Sequence, residues 1–251
     1  MQDLIQDLRY AARLLARAPA FTLVAVAALA LGVGANTAIF SVVDTLLLRP
    51  LPYRSADRLA VVWEHNLPRD KKDNTVSPGN FIHWRELNHT FQELSAVSLT
   101  YRTTLTGQGE ATELPVQYVS WTLFGMLGVR PPIGRDFTAA EDAPGMHVVI
   151  ISDRLWRQRF GGDPSIVNRT IMLDRVAHTV AGVMPSSFSI LDKTVDVWST
   201  IGLPPEARTP RGRWLCVVGR LKDGVTFGQA QSDMARAHAE LTRLFPQFNA
   251  G

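Results

Sequence analysis

Residues 18–43 read APAFTLVAVAALALGVGANTAIFSVV, twenty-six positions without an Asp, Glu, Lys or Arg. A helix of that length, at about 1.5 Å of rise per residue, exceeds a hydrocarbon core of about 30 Å. The sequence therefore predicts a membrane-spanning helix, taken as residues 18–48, and the rest of the chain is read outward from it. Small residues sit in its middle and outer half, and Ala28 to Gly32 and Gly34 to Ala38 are both small-xxx-small spacings that let helices approach closely in lipid. Gly32, Gly34 and Ala38 are thus candidate contacts with further membrane helices.

On the amino-terminal side, Leu4, Leu8, Ala11 and Leu15 share one helical face while Arg9, Arg13 and Arg17 share another. This predicts an amphipathic helix over residues 1–17, lying in the headgroup layer with its three arginines turned to the phosphates of membrane lipid. Arginines before the span, with Asp44 the first charge near its other end, place Met1 in the cytoplasm and the long remainder outside it. A cleaved signal peptide competes for the same stretch, since Ala28-Leu29-Ala30 resembles a cleavage site. The long acidic leader with Asp3 and Asp7, and the apolar pattern resuming after Asn36, favour a retained anchor.

Roughly 200 residues remain, enough for one sizeable domain or two small lobes. The average values, 46% apolar and 20% charged, blend a very apolar fifth with an ordinary remainder. A net charge of +3 without a basic block argues against nucleic-acid binding. The single cysteine, Cys216, lies in the apolar run WLCVV and reads as a small buried residue.

Pro50 ends the membrane helix. Leu59–Glu64 (LAVVWE) reads as a strand buried on both faces, and 66–75 as a polar loop. Ser77-Pro78 is a cap and first-turn proline, after which Phe81, Trp84, Leu87, Phe91 and Leu94 predict a helix of about four turns with a break near Asn88. A hairpin around Gly107-Gln108-Gly109, a strand carrying Val116 and Tyr118, and a short helix ending at Gly128 follow. HVVIIS (147–152) is the strongest central strand, and 153–160 a helix stopped by Gly161-Gly162-Asp163-Pro164. Strands are expected at 170–173, 178–183, 195–198 and 214–221. A last helix over 226–245 is capped by Thr226, with Ala230, Met234, Ala237, Leu241 and Leu244 on one face. The alternation argues an α+β fold of short mixed strands and amphipathic helices, in two lobes, with the second lobe inserted around 130–190 of a domain spanning 49–251.

The chemistry-bearing residues form no constellation. No phosphate-cradling loop exists, and Gly32-Val33-Gly34 lies inside the apolar span without a preceding strand. The six histidines, His65, His83, His89, His147, His178 and His238, show no metal-ligand spacing, and Ser152 lacks a nucleophile-elbow context. Asp136, Glu141 and Asp142 match no calcium loop and read as a solvated acidic face. No catalytic, cofactor or metal residue is assigned.

The order of short motifs is more specific. Asp7-Leu8-Arg9-Tyr10-Ala11, Arg17-Ala18-Pro19-Ala20-Phe21-Thr22 and Ala30 through Ser41, then Leu127-Gly128-Val129, Gly134-Arg135-Asp136-Phe137, Ile151-Ser152-Asp153 with Leu155-Trp156, Phe160 through Pro164, and Val180 through Pro185, closely resemble the macrolide-exporter-like ABC permeases of bacteria, especially the duplicated permeases abundant in acidobacteria. The resemblance covers nearly the whole chain. Asn168 stands where glycine is expected, and Asp174-Arg175 where Asn-Gly is usual.

The resemblance implies a two-lobed periplasmic core domain set on the first membrane helix, in the bacterial inner membrane. It also implies further permease helices or a second permease copy, a cytoplasmic ABC ATPase subunit and a periplasmic adaptor as partners. On this reading a chain stopping at Gly251 is a truncated permease or a split subunit. The expected function is that of a non-catalytic transporter component transmitting ATPase-driven motion. The alternatives are a membrane-tethered ligand-binding or sensory domain, which requires a pocket with convergent polar groups, and a tethered enzyme, which requires a titratable cluster in it.

Overall fold

A computed structural model describes residues 53–66 and 71–249, together with Leu23 and Ala30. Apart from those two positions, the expected interfacial helix (1–17) and membrane helix (18–48) lie outside the described residues, and so do Arg9, Arg13, Arg17, Gly32, Gly34 and Ala38. Among the described residues no helix is long and apolar enough to cross a membrane.

The fold is α+β. After a single 3-10 turn at Ala56–Arg58 come β1 (Leu59–Val62), β2 (Glu64–Asn66), β3 (Lys71–Asn74), α1 (Pro78–Leu87), β4 (Phe91–Ser98), β5 (Tyr101–Thr106), β6 (Thr112–Val119) and α2 (Leu123–Leu127). Then follow β7 (Ile133–Gly134), β8 (Val148–Ser152), α3 (Asp153–Phe160), β9 (Thr170–Leu173), β10 (Val176–Met184), β11 (Val197–Thr200), β12 (Leu215–Leu221), α4 (Phe227–Leu244) and α5 (Pro246–Asn249).

Ten of the strands share one sheet, and part of it closes on itself. β5 pairs with β6 along one side and with β9 along the other, so the order β6-β11-β8-β10-β9-β5 returns to β6 as a six-stranded ring. Side chains alternate in and out along each strand. The ring interior is accordingly filled by Leu105, Leu114, Val116, Val149, Ile151, Ile171, Leu173, Val180 and Val197, and α3 adds Leu155, Trp156 and Phe160 to the same cluster. A register shift between Val180 and Gly182 brings Val183 to that face as well.

Of the other four strands, β7 pairs with β10, and three form a wing in the order β4-β12-β1, which meets the ring at the ladder pair Val97 and Val119, extended by the Ser120 amide donating to the Ala96 carbonyl at 2.9 Å. Helices α1 and α4 cover the wing, burying Phe81, Trp84, Leu94, Val217, Ala237 and Leu241 between them. A third cluster packs α2 on the ring's outer face, with Phe124 and Trp198 in edge-to-face contact at 6.2 Å.

Several local expectations change. β1 is the outermost strand of the wing, and Val61 is 45% exposed, so the LAVVW run is an edge rather than a doubly buried strand. Part of the polar stretch 66–75 pairs as β3 against β2. Helix α1 stops at Leu87 because the Asn88 side chain donates to the Trp84 carbonyl (2.9 Å) and accepts from the Phe91 amide (3.1 Å), while Asp233 takes the amides of His89 and Thr90. Phe91 and Leu94 therefore belong to β4. On α4, Ala230, Ala237 and Leu241 are buried but Leu244 is 47% exposed. The unusual turn residues adopt the geometry glycine would supply: Asn168 has φ 64°, and Asp174 and Arg175 have φ 48° and 66° between β9 and β10. Asp174 also accepts from the Thr103 hydroxyl and the Thr104 amide, both at 2.8 Å, which fastens this turn to β5 where the ring closes.

Candidate functional site

Residues 53–58, the first described stretch after the apolar segment, are bolted to the domain. The Tyr53 hydroxyl donates to the Ser189 carbonyl, and its ring meets Phe188 at 6.5 Å between centroids. The Arg54 amide donates to the Leu127 carbonyl at 3.0 Å. Ser55 is left-handed, with φ 43°, and its carbonyl accepts from the Arg58 amide and from Arg220 Nη1, both at 3.0 Å. Arg58 donates Nε to the Leu221 carbonyl at 3.0 Å and pairs with Asp223.

Arg220 holds this junction together. It lies on β12, is 6% exposed, and directs Nε and Nη2 to the Met126 carbonyl near the end of α2 (2.9 and 2.7 Å). Among the described residues its side-chain partners are main-chain carbonyls rather than a carboxylate. Burial, then the charges of Arg58 and Arg54, hold the guanidinium below the usual arginine range. A cleft of about 450 Å³ opens beside it, lined by Arg54, Arg58, Glu93, Thr122, Asp136 and Arg220.

A second fastening ties the start of the wing to α5. Glu64, 6% exposed, accepts from the Ser77 amide and Asn80 Nδ2, both at 2.8 Å, and pairs with Arg213. Asn80 and Asn249 exchange amide hydrogen bonds of 2.8 and 3.3 Å, and Arg213 Nη2 donates to the Phe248 carbonyl at 3.0 Å. Every buried polar group in this network thus has a partner, the condition under which such networks rigidify rather than weaken a core.

A further cavity of about 300 Å³ forms the open mouth of the ring, lined by Thr103, Tyr118, His147, Asp174, His178 and Ser199. His147 and His178, far apart in sequence, precede the core residues Val149 and Val180 on inward-facing positions, and their rings stand 5.0 Å apart. Tyr101 packs against Tyr118 at 6.1 Å on its rim.

The other sequence candidates go elsewhere. Ser152 caps α3, accepting from the Leu155 amide and donating to Asp196, which also pairs with Arg154. Burial pushes the Cys216 thiol up, away from the reactive thiolate. The acidic residues 136, 141 and 142 are not a solvated face: Glu141 is buried, pairs with Arg135 and closes a capping box with Thr138, and Asp142 accepts from the amides of Trp121 and Gly202. Among the described residues no cluster of three or more His, Cys, Asp or Glu is arranged to hold a metal ion.

Sequence reasoning missed Arg220, Glu64 and the histidine pair. A signal was present for the first two, each a lone charge within or closing an apolar run (WLCVVGRL and LAVVWE). None was present for the third.

Residues 22–237 match the MacB-like periplasmic core domain. The chain belongs to that family. Membership agrees with the motif order from Leu127 to Pro185, and the fold recurs in solved structures of the same kind. The MacB-like domain is similar to the periplasmic region of MacB from Actinobacillus actinomycetemcomitans, with a TM-score of 0.56 at 12% identity over 76% of this chain and 86% of that one. It is also similar to the extracellular domain of the noncanonic ABC-type transporter YknZ from Gram-positive bacteria, with a TM-score of 0.51 at 13% identity over 74% and 91%. No curated protein matches the sequence of this MacB-like chain.

Proposed function

We propose that this chain is a non-catalytic component of an ABC-type transporter permease, anchored in the bacterial inner membrane with its amino terminus cytoplasmic, whose periplasmic domain transmits motion driven by a separate cytoplasmic ATPase. The observation that carries this reading is the junction at Tyr53–Arg58. A tether needs only a flexible linker, whereas this segment is held by hydrogen bonds to α2, β12 and the Ser189 loop, so a displacement arriving at Tyr53 moves the domain as a body. Arg9, Arg13 and Arg17 would rest on lipid phosphates, and Gly32, Gly34 and Ala38 would face further permease helices or a second copy. A periplasmic adaptor is the remaining partner of this scheme. The two-lobed organisation is supported by the division of the sheet into wing and ring, whose facing strands β4 and β6 share one ladder pair.

The test is co-purification of the full chain in detergent with a candidate ABC ATPase, scored for association that changes between ATP and ADP. A double variant, Arg58→Ala with Arg220→Met, is expected to keep the association and lose its effect on ATP turnover, while thermal unfolding confirms that the domain remains folded. Association indifferent to nucleotide, or turnover untouched by the double variant, overturns the reading. The ring-mouth cavity favours the alternative of a tethered ligand-binding domain, and the histidines lining it lead to a separate conclusion.

A further inference from the structure

We propose that the mouth of the six-stranded ring binds one late first-row transition-metal ion of the copper and zinc class through the imidazoles of His147 and His178. The inference is independent of the transporter reading. It begins from strand pairing: the Thr179 amide donates to the His147 carbonyl at 2.8 Å, so the two histidines are neighbours where the parallel pair β8 and β10 begins, and both line the mouth, His147 at its exposed rim and His178 half-buried. Two imidazoles that each bond one ion at about 2.0–2.1 Å, with an angle of about 90–110° between the bonds, place their ring centres about 4.5–5.2 Å apart. The observed separation is 5.0 Å.

The protonation pattern also fits. His178 Nδ1 lies 3.0 Å from the Val176 carbonyl, which can only accept, so Nδ1 carries the hydrogen and Nε2 presents a lone pair. A main-chain carbonyl on the second nitrogen is the usual way a ligand imidazole is oriented and made more basic. Asp174 lines the same mouth and adds negative charge there while its two oxygens accept from Thr103 and Thr104. The cavity of about 300 Å³ leaves room for the waters that complete the coordination. Imidazole donors without a thiolate select copper and zinc over the hard, oxygen-seeking cations.

The experiment titrates Cu(II) into the untagged full chain in detergent, follows the stoichiometry, and reads nitrogen couplings by electron paramagnetic resonance. One Cu(II) per chain with two imidazole nitrogens is expected, displaced by excess Zn(II), and weakened at least tenfold in each of His147→Ala and His178→Ala. Because a substitution could disturb the fold, a second measurement uses the unaltered chain: Cu(II) should protect both histidines from diethyl pyrocarbonate, read by mass spectrometry. Copper held equally well by both variants, a one-nitrogen signature, no binding at micromolar Cu(II), or unprotected histidines would each overturn the assignment.

Discussion

Gly134 and Gly161 both have positive φ, 81° and 63°, yet they are there for different reasons. A Cβ on Gly134 would stand 2.2 Å from the Ala181 carbonyl oxygen and 2.7 Å from the Gly182 Cα, because β7 is pressed against β10 at this point. A Cβ on Gly161 meets nothing within 4 Å. Gly161→Ala should therefore cost about 1 kcal/mol, the conformational penalty alone. Gly134→Ala should cost upwards of about 3 kcal/mol, because backbone must also move; urea denaturation of the two variants side by side checks the contrast. Asp136 provides a pH test. Burial, opposed by its bond to the Phe137 amide and by Arg130, pushes its carboxyl up to about 6. Unfolded, it titrates near about 3.9. A folded pKa above the unfolded one means that its contribution is fully present below about pH 4 and is lost as pH rises through about 6. Asp136→Asn should raise the thermal midpoint at pH 8, leave it nearly unchanged at pH 4, and flatten the decline between them. Sequence could mark Gly134 as a turn residue and Asp136 as acidic, but close backbone approach and burial depend on neighbours from β10 and α2 that no local pattern names.

At the scale of elements, the strongly patterned segments were readable. The 147–152 strand, α3 with its glycine stop, the 107–109 hairpin and α4 with its Thr226 cap all follow from periodicity and capping chemistry, and they form as expected. Errors arose where apolar spacing fits two structures at once: Phe91 and Leu94 continue the helical repeat of Phe81 and Trp84, and only the Asn88 and Asp233 hydrogen bonds send them into β4. β12 illustrates a third case. Its apolar run was legible as a strand, but Arg220 inside it becomes meaningful only when α2 and Ser55 supply carbonyls. Arg220→Met should cost about 2–4 kcal/mol, since it leaves two carbonyls without their charged donor. Arg220→Lys should recover little of this, because an ammonium lacks the fork that reaches Met126 and Ser55 together. Equilibrium unfolding of both variants measures the loss.

For the whole molecule, composition and strand alternation gave an α+β domain and motif order gave its family, yet ring closure was invisible. Periodicity says which face of a strand is buried and not which strand lies beside it. β5 pairs with β6 through a local hairpin, but its second pairing, with β9, brings together strands some seventy positions apart and is reinforced by the bonds from Thr103 and Thr104 to Asp174. The histidine pair at the mouth inherits the same dependence, for it exists only once β8 and β10 have come together.

A closed ring has no end strand, and this governs how the molecule breathes. Freeing any one of β5, β6, β8, β9, β10 or β11 means opening at least two ladders at once, while β1 is held by β12 on one side. Backbone amides in the ring should therefore exchange with deuterium together, with protection close to that of global unfolding, while those of β1 exchange earlier and separately. Mass-resolved exchange on the full chain would show two populations of peptides, and a graded loss running strand by strand around the ring would contradict it. A domain that moves as a body when Tyr53 is displaced would then carry the ring along without opening any of its ladders.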